Sequence, residues 1–184
     1  MEFTLYYRGR LKANGSRIDK HRLRLHFSAQ LYELWRHKGG NPRSFYSALP
    51  DLAMDSVSKV VGSCRFAALV TRGQFAELEV VMLRPDAPGS IISQGGDIDN
   101  RVKTLLDGLR LPAVHELPRK AEPGSKDKVL LCLLEDDRLV TKLSVETQQL
   151  LDVDAEPGTV VLLIKVRTRL LRDLEPRIGD IAFG

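Results

Sequence analysis

Residues 95–109 run Gly95-Gly96-Asp97-Ile98-Asp99-Asn100-Arg101-Val102-Lys103-Thr104-Leu105-Leu106-Asp107-Gly108-Leu109. Val102, Leu105, Leu106 and Leu109 stand at i, i+3, i+4 and i+7, the spacing that lays one apolar stripe along an α-helix. The stripe predicts a helix over Asn100–Leu109. Asp99 or Asn100 caps its start, where a short polar side chain satisfies an unpaired backbone N–H. Asp99, Lys103 and Asp107 recur every four residues and form a second stripe along the border of the apolar one.

Strand signals lie on both sides of this helix. Phe3–Leu11 alternates, and Asn14-Gly15-Ser16 marks a turn. Arg22-Leu23-Arg24-Leu25-His26-Phe27 alternates basic and apolar residues and is expected to be a strand with one wet face, with a helix as the competing reading. Ser28 is expected to cap a helix carrying Leu31, Leu34 and Trp35 up to Gly39-Gly40. Asn41–Ser63 lacks a period and is expected to be loop with one short helix at most. Arg65–Thr71 and Phe75–Arg84, separated by Arg72-Gly73-Gln74, carry a hairpin signature. A loop rich in Pro, Gly and Ser runs from Arg84 to Gly96. Past the helix, Leu111–Lys128 is an irregular excursion. Val129–Leu134 is a continuously apolar strand, Arg138–Glu146 alternates, and Thr159–Arg167 is a last strand. Six or seven strands and two to three helices predict an α/β chain of the α+β kind. Its mixed β-sheet is flanked by the helices within one domain, 1–184.

The chain has 184 residues, 28 Lys and Arg, 24 Asp and Glu, and a net charge of +4. The apolar content excludes disordered and collagen-like classes. No stretch approaches the length that spans a bilayer, and Met1-Glu2-Phe3-Thr4 does not open a signal peptide. Residues 1–43 hold ten basic and three acidic residues, so a basic N-terminal region of +7 precedes a remainder of −3. Such asymmetry suits a polyanion partner, although a merely solvated face has the same composition. Cys64 and Cys132 make neither a disulfide framework nor a zinc site, and a reducing compartment is the default. His21, His26, His37 and His115 lack ligand spacing and are read as surface or partly buried.

The second informative cluster is Glu135-Asp136-Asp137, directly after the apolar strand. A hairpin turn would favour Gly or Asn there. Adjacent carboxylates repel and call for a countercharge, which a hard divalent cation supplies. Mg²⁺ takes oxygen ligands, commonly one or two carboxylates, and leaves positions for water and phosphate. With a lysine and a basic flank at hand, that chemistry fits phosphodiester hydrolysis. The bland alternative is equally concrete: Asp99 as a cap, Asp97 as a loop acid, and Lys103 paired with Asp99 and Asp107.

Asp97, Asp99, Asn100, Lys103, Asp107 and Leu109, followed by Asp136, Asp137 and Val140, form a pattern that resembles the RusA family of Holliday junction resolvases. The likeness is strongest over residues 97–142, with a fainter echo at Phe27-Ser28-Ala29-Gln30. It implies a RusA-like fold and a homodimeric endonuclease, dependent on Mg²⁺ with Mn²⁺ as a substitute, that cuts four-way DNA junctions by symmetric nicks. It also implies a cytoplasmic setting in a bacterium, or a prophage origin. Asp97, Asp99 and Asp137 would be the catalytic and metal-binding acids, with Asp136 beside them at the metal and Lys103 as the catalytic lysine. Relative to that family, this chain carries an insertion loop at 112–128. It also has Gln94-Gly95-Gly96 where many members have basic residues. DNA contacts are therefore expected from Arg22, Arg24, Arg101, Lys142 or the Arg119-Lys120 loop. The alternatives are a nuclease on other branched DNA or RNA, a non-catalytic DNA-binding protein of the same fold, and a phosphohydrolase acting on a small nucleotide. For the last, the glycine-rich phosphate loop is missing.

Overall fold

A computed structural model describes residues 1–37, 58–62, 64–86, 98–119, 129–156 and 158–170. The elements are β1 (Glu2–Arg10), α1 (Arg17–His37), β2 (Ser58–Val61), β3 (Cys64–Val70), β4 (Gln74–Arg84), α2 (Ile98–Leu109), β5 (Val129–Leu134), β6 (Val140–Gln149) and β7 (Thr159–Leu170). Single 3₁₀ turns lie at Val114–Glu116 and Asp137–Leu139. The fold is α+β, as expected, but its strands form two mixed sheets instead of one. The larger has the order β1-β7-β4-β6 and the smaller β2-β3-β5. β4 runs parallel to β6 and antiparallel to β7, and β3 runs parallel to β5.

The main core gathers Leu5, Leu78, Val80, Met82, Ile164 and Val166 from the large sheet with Leu23, Phe27 and Leu31 of α1, Leu105 and Leu109 of α2, and Leu131 and Leu133 of β5. A second cluster on the far side of the small sheet joins Phe66, Ala68, Leu130 and Cys132 to Leu111 and Leu117. That explains the unbroken apolar run of β5: residues from both faces are buried, so no wet alternation is required.

Two expectations need correction. Arg22–Phe27 is helical and Ser28 sits inside α1, not at its start. The buried positions are His21, Leu23, Arg24, Phe27, Ser28 and Leu31, which follow the helical period. Three of them are polar, so a count of apolar residues alone shows a period of two. The true cap is Ser16, whose Oγ accepts from Asp19 N at 3.3 Å while Asp19 Oδ2 accepts from Ser16 N at 3.0 Å. This reciprocal pair is a capping box, readable in the Ser16-Arg17-Ile18-Asp19 spacing. Ser28 Oγ instead accepts from Leu131 N at 2.9 Å, and Tyr32 donates its hydroxyl to Val129 O, tying α1 to β5.

The second correction concerns the hairpin. β3 and β4 are joined by a tight turn, with Gly73 at φ 85° and Gln74 N donating to Thr71 O at 3.0 Å. They do not pair with each other. β3 pairs with β2 and β5, and β4 with β6 and β7, so the turn hands the chain from one sheet to the other. The region expected to be loop also supplies β2. The remainder of that region up to residue 57, and the short helix expected there, lie outside the described residues.

α1 and α2 pack closely at Gly108. A Cβ built there would lie 2.8 Å from Leu23 Cβ and 3.0 Å from Leu23 Cδ1. Alanine should gain about 1 kcal/mol of helix propensity but lose about 1–3 kcal/mol by forcing the helices apart. We expect Gly108→Ala to lower the urea midpoint; an unchanged or raised midpoint would mean that Leu23 yields without cost.

Candidate functional site

The acidic turn follows β5 directly. Glu135 N donates to Val70 O at 2.9 Å, which holds the turn against the end of β3, and Arg72 N donates to Glu135 Oε2 at 3.2 Å. Asp136 caps the 3₁₀ turn. Its Oδ1 accepts from Arg138 N at 3.0 Å and Nε at 2.9 Å, and its Oδ2 accepts from Arg138 Nη2 at 3.1 Å. These bonds from Arg138 hold the Asp136 carboxyl well below the usual carboxylate range, so it is ionised at neutral pH. Asp137 is exposed beside it. Glu135 and Asp136 open into a cleft of 640 Å³ whose other walls include Lys59, Arg72, Arg110 and Arg138. Carboxylates and guanidinium groups thus share one concavity, the pairing that suits a metal and the phosphates it polarises.

The other predicted acids lie elsewhere. α2 begins at Ile98, one residue before Asp99, so Asp99 lies in the first turn and is exposed; Lys103 is exposed one turn further on. Among the described residues Lys103 forms no ion pair, because Asp107 is occupied by others. Asp97 lies outside the described residues, as does Lys120. The start of α2 adjoins the N-terminal segment and the end of β4. Arg101 donates to Leu11 O, and Arg84 and Asp86 are close enough to perturb its guanidinium. Arg10, Lys12 and Arg101 line a cleft of 450 Å³ there.

α2 then runs to the C-terminal end of β5. Arg110 bridges to Leu134, and Leu111 N donates to Leu134 O at 2.9 Å, immediately before the acidic turn. β4 gives the same polarity: Ala76 pairs with Val140 near the acidic turn, whereas Arg84 ends the strand on the α2-start side. Ten residues of helix separate Asp99 from Leu109, about 15 Å. Asp99 and Asp137 therefore sit at opposite ends of one strut. Among the described residues no three of His, Cys, Asp and Glu gather as a metal site.

Asp107 is 6% exposed. Lys20 Nζ lies 2.7 Å from its Oδ2, and Arg110 Nη2 lies 2.8 Å from its Oδ1. Arg110 also reaches Glu116 at 2.6 Å. Burial pushes the Asp107 carboxyl up, but the hydrogen bonds from Lys20 and Arg110 outweigh it and leave the group below its ordinary value.

The predicted DNA contacts divide. Arg24 is corrected: it is 1% exposed and donates to Asp107 O at 2.6 Å and Arg110 O at 3.3 Å, so it braces α1 against the end of α2 and cannot reach DNA. Arg22 and Arg119 are exposed on one cleft. Lys142 stands on the exposed side of β6, 3.2 Å from Glu79. Glu77 is taken by Arg167 and Arg169 at 3.3 and 2.9 Å. His21 is buried, beyond the partial burial expected. No described helix is long and apolar enough to cross a membrane. Comparison with family models, curated proteins and solved structures finds no match to this chain.

Proposed function

We propose that this protein is a Mg²⁺-dependent, structure-selective DNA endonuclease working as a homodimer in a bacterial or prophage-bearing cytoplasm, with the four-way junction as its substrate. The observation that carries this reading is the cleft where Glu135 and Asp136 face Lys59, Arg72, Arg110 and Arg138. It offers hard oxygen donors for a metal and cations for the strand's phosphates. Asp99 and Lys103 supply a second half of the same chemistry at the other end of α2.

Because α2 holds the halves apart, a complete site needs two copies. In a two-fold dimer the Asp99 end of one protomer meets the Asp137 end of its partner, twice. Each site would hold the metal through Asp99 and, from the partner, Asp136 and Asp137, with Asp97 joining from the residue before α2. When bound, the metal would make water a nucleophile at neutral pH and neutralise the leaving oxygen. Lys103 would hold a non-bridging phosphate oxygen, and Arg72 and Lys59 would orient the backbone.

A four-way junction should be nicked with Mg²⁺ and not with EDTA, and a duplex of matched sequence should be spared. Asp99→Asn should lower nicking by at least about a hundredfold while junction binding stays within about threefold. A mutant that cuts at the wild-type rate would sink the reading. Cleavage of flaps, forks or structured RNA as well would keep the chemistry and widen the substrate.

One observation favours a second reading. Asp136 already has an arginine in the place a metal would take. A non-catalytic DNA-binding protein would use that pair structurally, and its binding would fall with salt yet ignore Mg²⁺.

A further inference from the structure

Residues Arg17–Leu25 of α1 and the segment at Pro118-Arg119 line an open cleft of 660 Å³, with room for a nucleotide. Its walls are apolar: Ile18, Leu25 and Pro118. Its rim carries Arg17, Arg22 and Arg119, all exposed. His21 also lines it and is only 6% exposed, and among the described residues neither Nδ1 nor Nε2 has a hydrogen-bond partner. Native proteins seldom leave a buried polar side chain unpaired, so this imidazole has hydrogen-bonding capacity that no described protein group fills. Burial and the neighbouring Arg24 lower its pKa, so the ring is neutral and offers one donor and one acceptor.

We propose that this cleft receives one unpaired base of a bound nucleic acid, with His21 hydrogen-bonded to the base edge and Arg17, Arg22 and Arg119 on the flanking phosphates. The proposal rests on the nuclease reading for its ligand and adds how that ligand is gripped away from the acids. A base has flat apolar faces for Ile18, Leu25 and Pro118, a polar edge for His21, and phosphates outside the cleft. A lone phosphate would stay at the rim and leave His21 unpaired. A metal cation would face three guanidinium groups with a single nitrogen donor. Taking a base out of its stack costs least where pairing is already broken, as at a branch point.

The test is binding without cleavage. The full chain in EDTA is titrated into a fluorescently labelled single-stranded oligonucleotide, and into the same strand with abasic positions. Wild type should prefer the base-bearing strand by about tenfold, the scale of one stacked base. His21→Leu, which removes the partner for the base edge at similar volume, and Leu25→Glu, which makes the wall polar and charged, should each reduce that preference below about threefold. Arg22→Gln should weaken both strands equally. Equal binding of the two strands by wild type overturns the proposal. A preference that survives both His21→Leu and Leu25→Glu overturns it too, by placing the base elsewhere. If single strands are ignored while the four-way junction is bound and cut, only this proposal fails. If the junction is neither bound nor cut, the nuclease reading fails with it.

Discussion

Two dead variants, mixed, should regain activity. Asp99→Asn and Asp137→Asn each break both sites of a homodimer, so each alone should resolve no junctions. In a mixed dimer of the kind proposed, both substitutions fall in one composite site. The other pairs an intact Asp99 from one protomer with an intact Asp137 from its partner. After random exchange about half the dimers are mixed, so about one quarter of the wild-type sites return. Such dimers make one nick each, so the product on a gel should be nicked junction, not resolved duplex. Sites built within single chains predict the reverse, because every protomer of the mixture would carry a broken site. Activity that stays at the level of the separate variants would reject the composite site. The geometry behind this is direct: α2 starts beside Leu11 and the end of β4 and finishes beside Leu134.

The second large effect concerns stability. Asp107→Ala should destabilise the protein by about 3 kcal/mol, because removing one member of a buried ion pair strands the others. Lys20 would lose its carboxylate and Arg110 one of its two, keeping Glu116, and their 22% and 21% side-chain exposure gives only partial relief through water. For a chain of this size, that should lower Tm by about 6–12 °C. Lys103→Ala, exposed on the same helix, should stay within about 0.5 kcal/mol. The difference has a pH signature. The folded-state pKa of Asp107 lies below its ordinary value of 3.8. Its contribution is therefore complete above that value and is lost as pH falls through the lower folded one. The gap in Tm between wild type and Asp107→Ala should hold from pH 7 to about 5 and close in stronger acid. A destabilisation of under about 1 kcal/mol at pH 7 would mean that the network relaxes around the loss.

α2 was legible because its burial obeys one rule: Leu105 and Leu109 are buried, and the four-residue stripe of Asp99, Lys103 and Asp107 falls beside them. β5 was legible because an unbroken apolar run needs burial on more than one face, and β7 because Val160, Leu162, Ile164 and Val166 alternate on its buried face. α1 was harder. Its inward positions include His21, Arg24 and Ser28, so hydrophobicity understates the helical period, and only the Ser16–Asp19 capping box marks the start. The hairpin error has a different cause. A turn such as Arg72-Gly73 encodes reversal of the chain but not the strand that lies alongside, which here is decided by contacts far apart in sequence. Site residues were legible by type and not by place. Nothing in the spacing of Asp99 and Asp137 records that a helix points them in opposite directions, and Arg24 looks like any other basic residue until its carbonyl partners are known.

The length of α2 has one last consequence. In a two-fold pair joined start to finish, the helix that keeps each protomer's acids apart also fixes the gap between the two completed centres. Twelve residues at 1.5 Å each make a ruler of about 18 Å. The distance between two cuts would then be written in the count of residues from Ile98 to Leu109, and each added helical turn would lengthen that stride by about 5.4 Å.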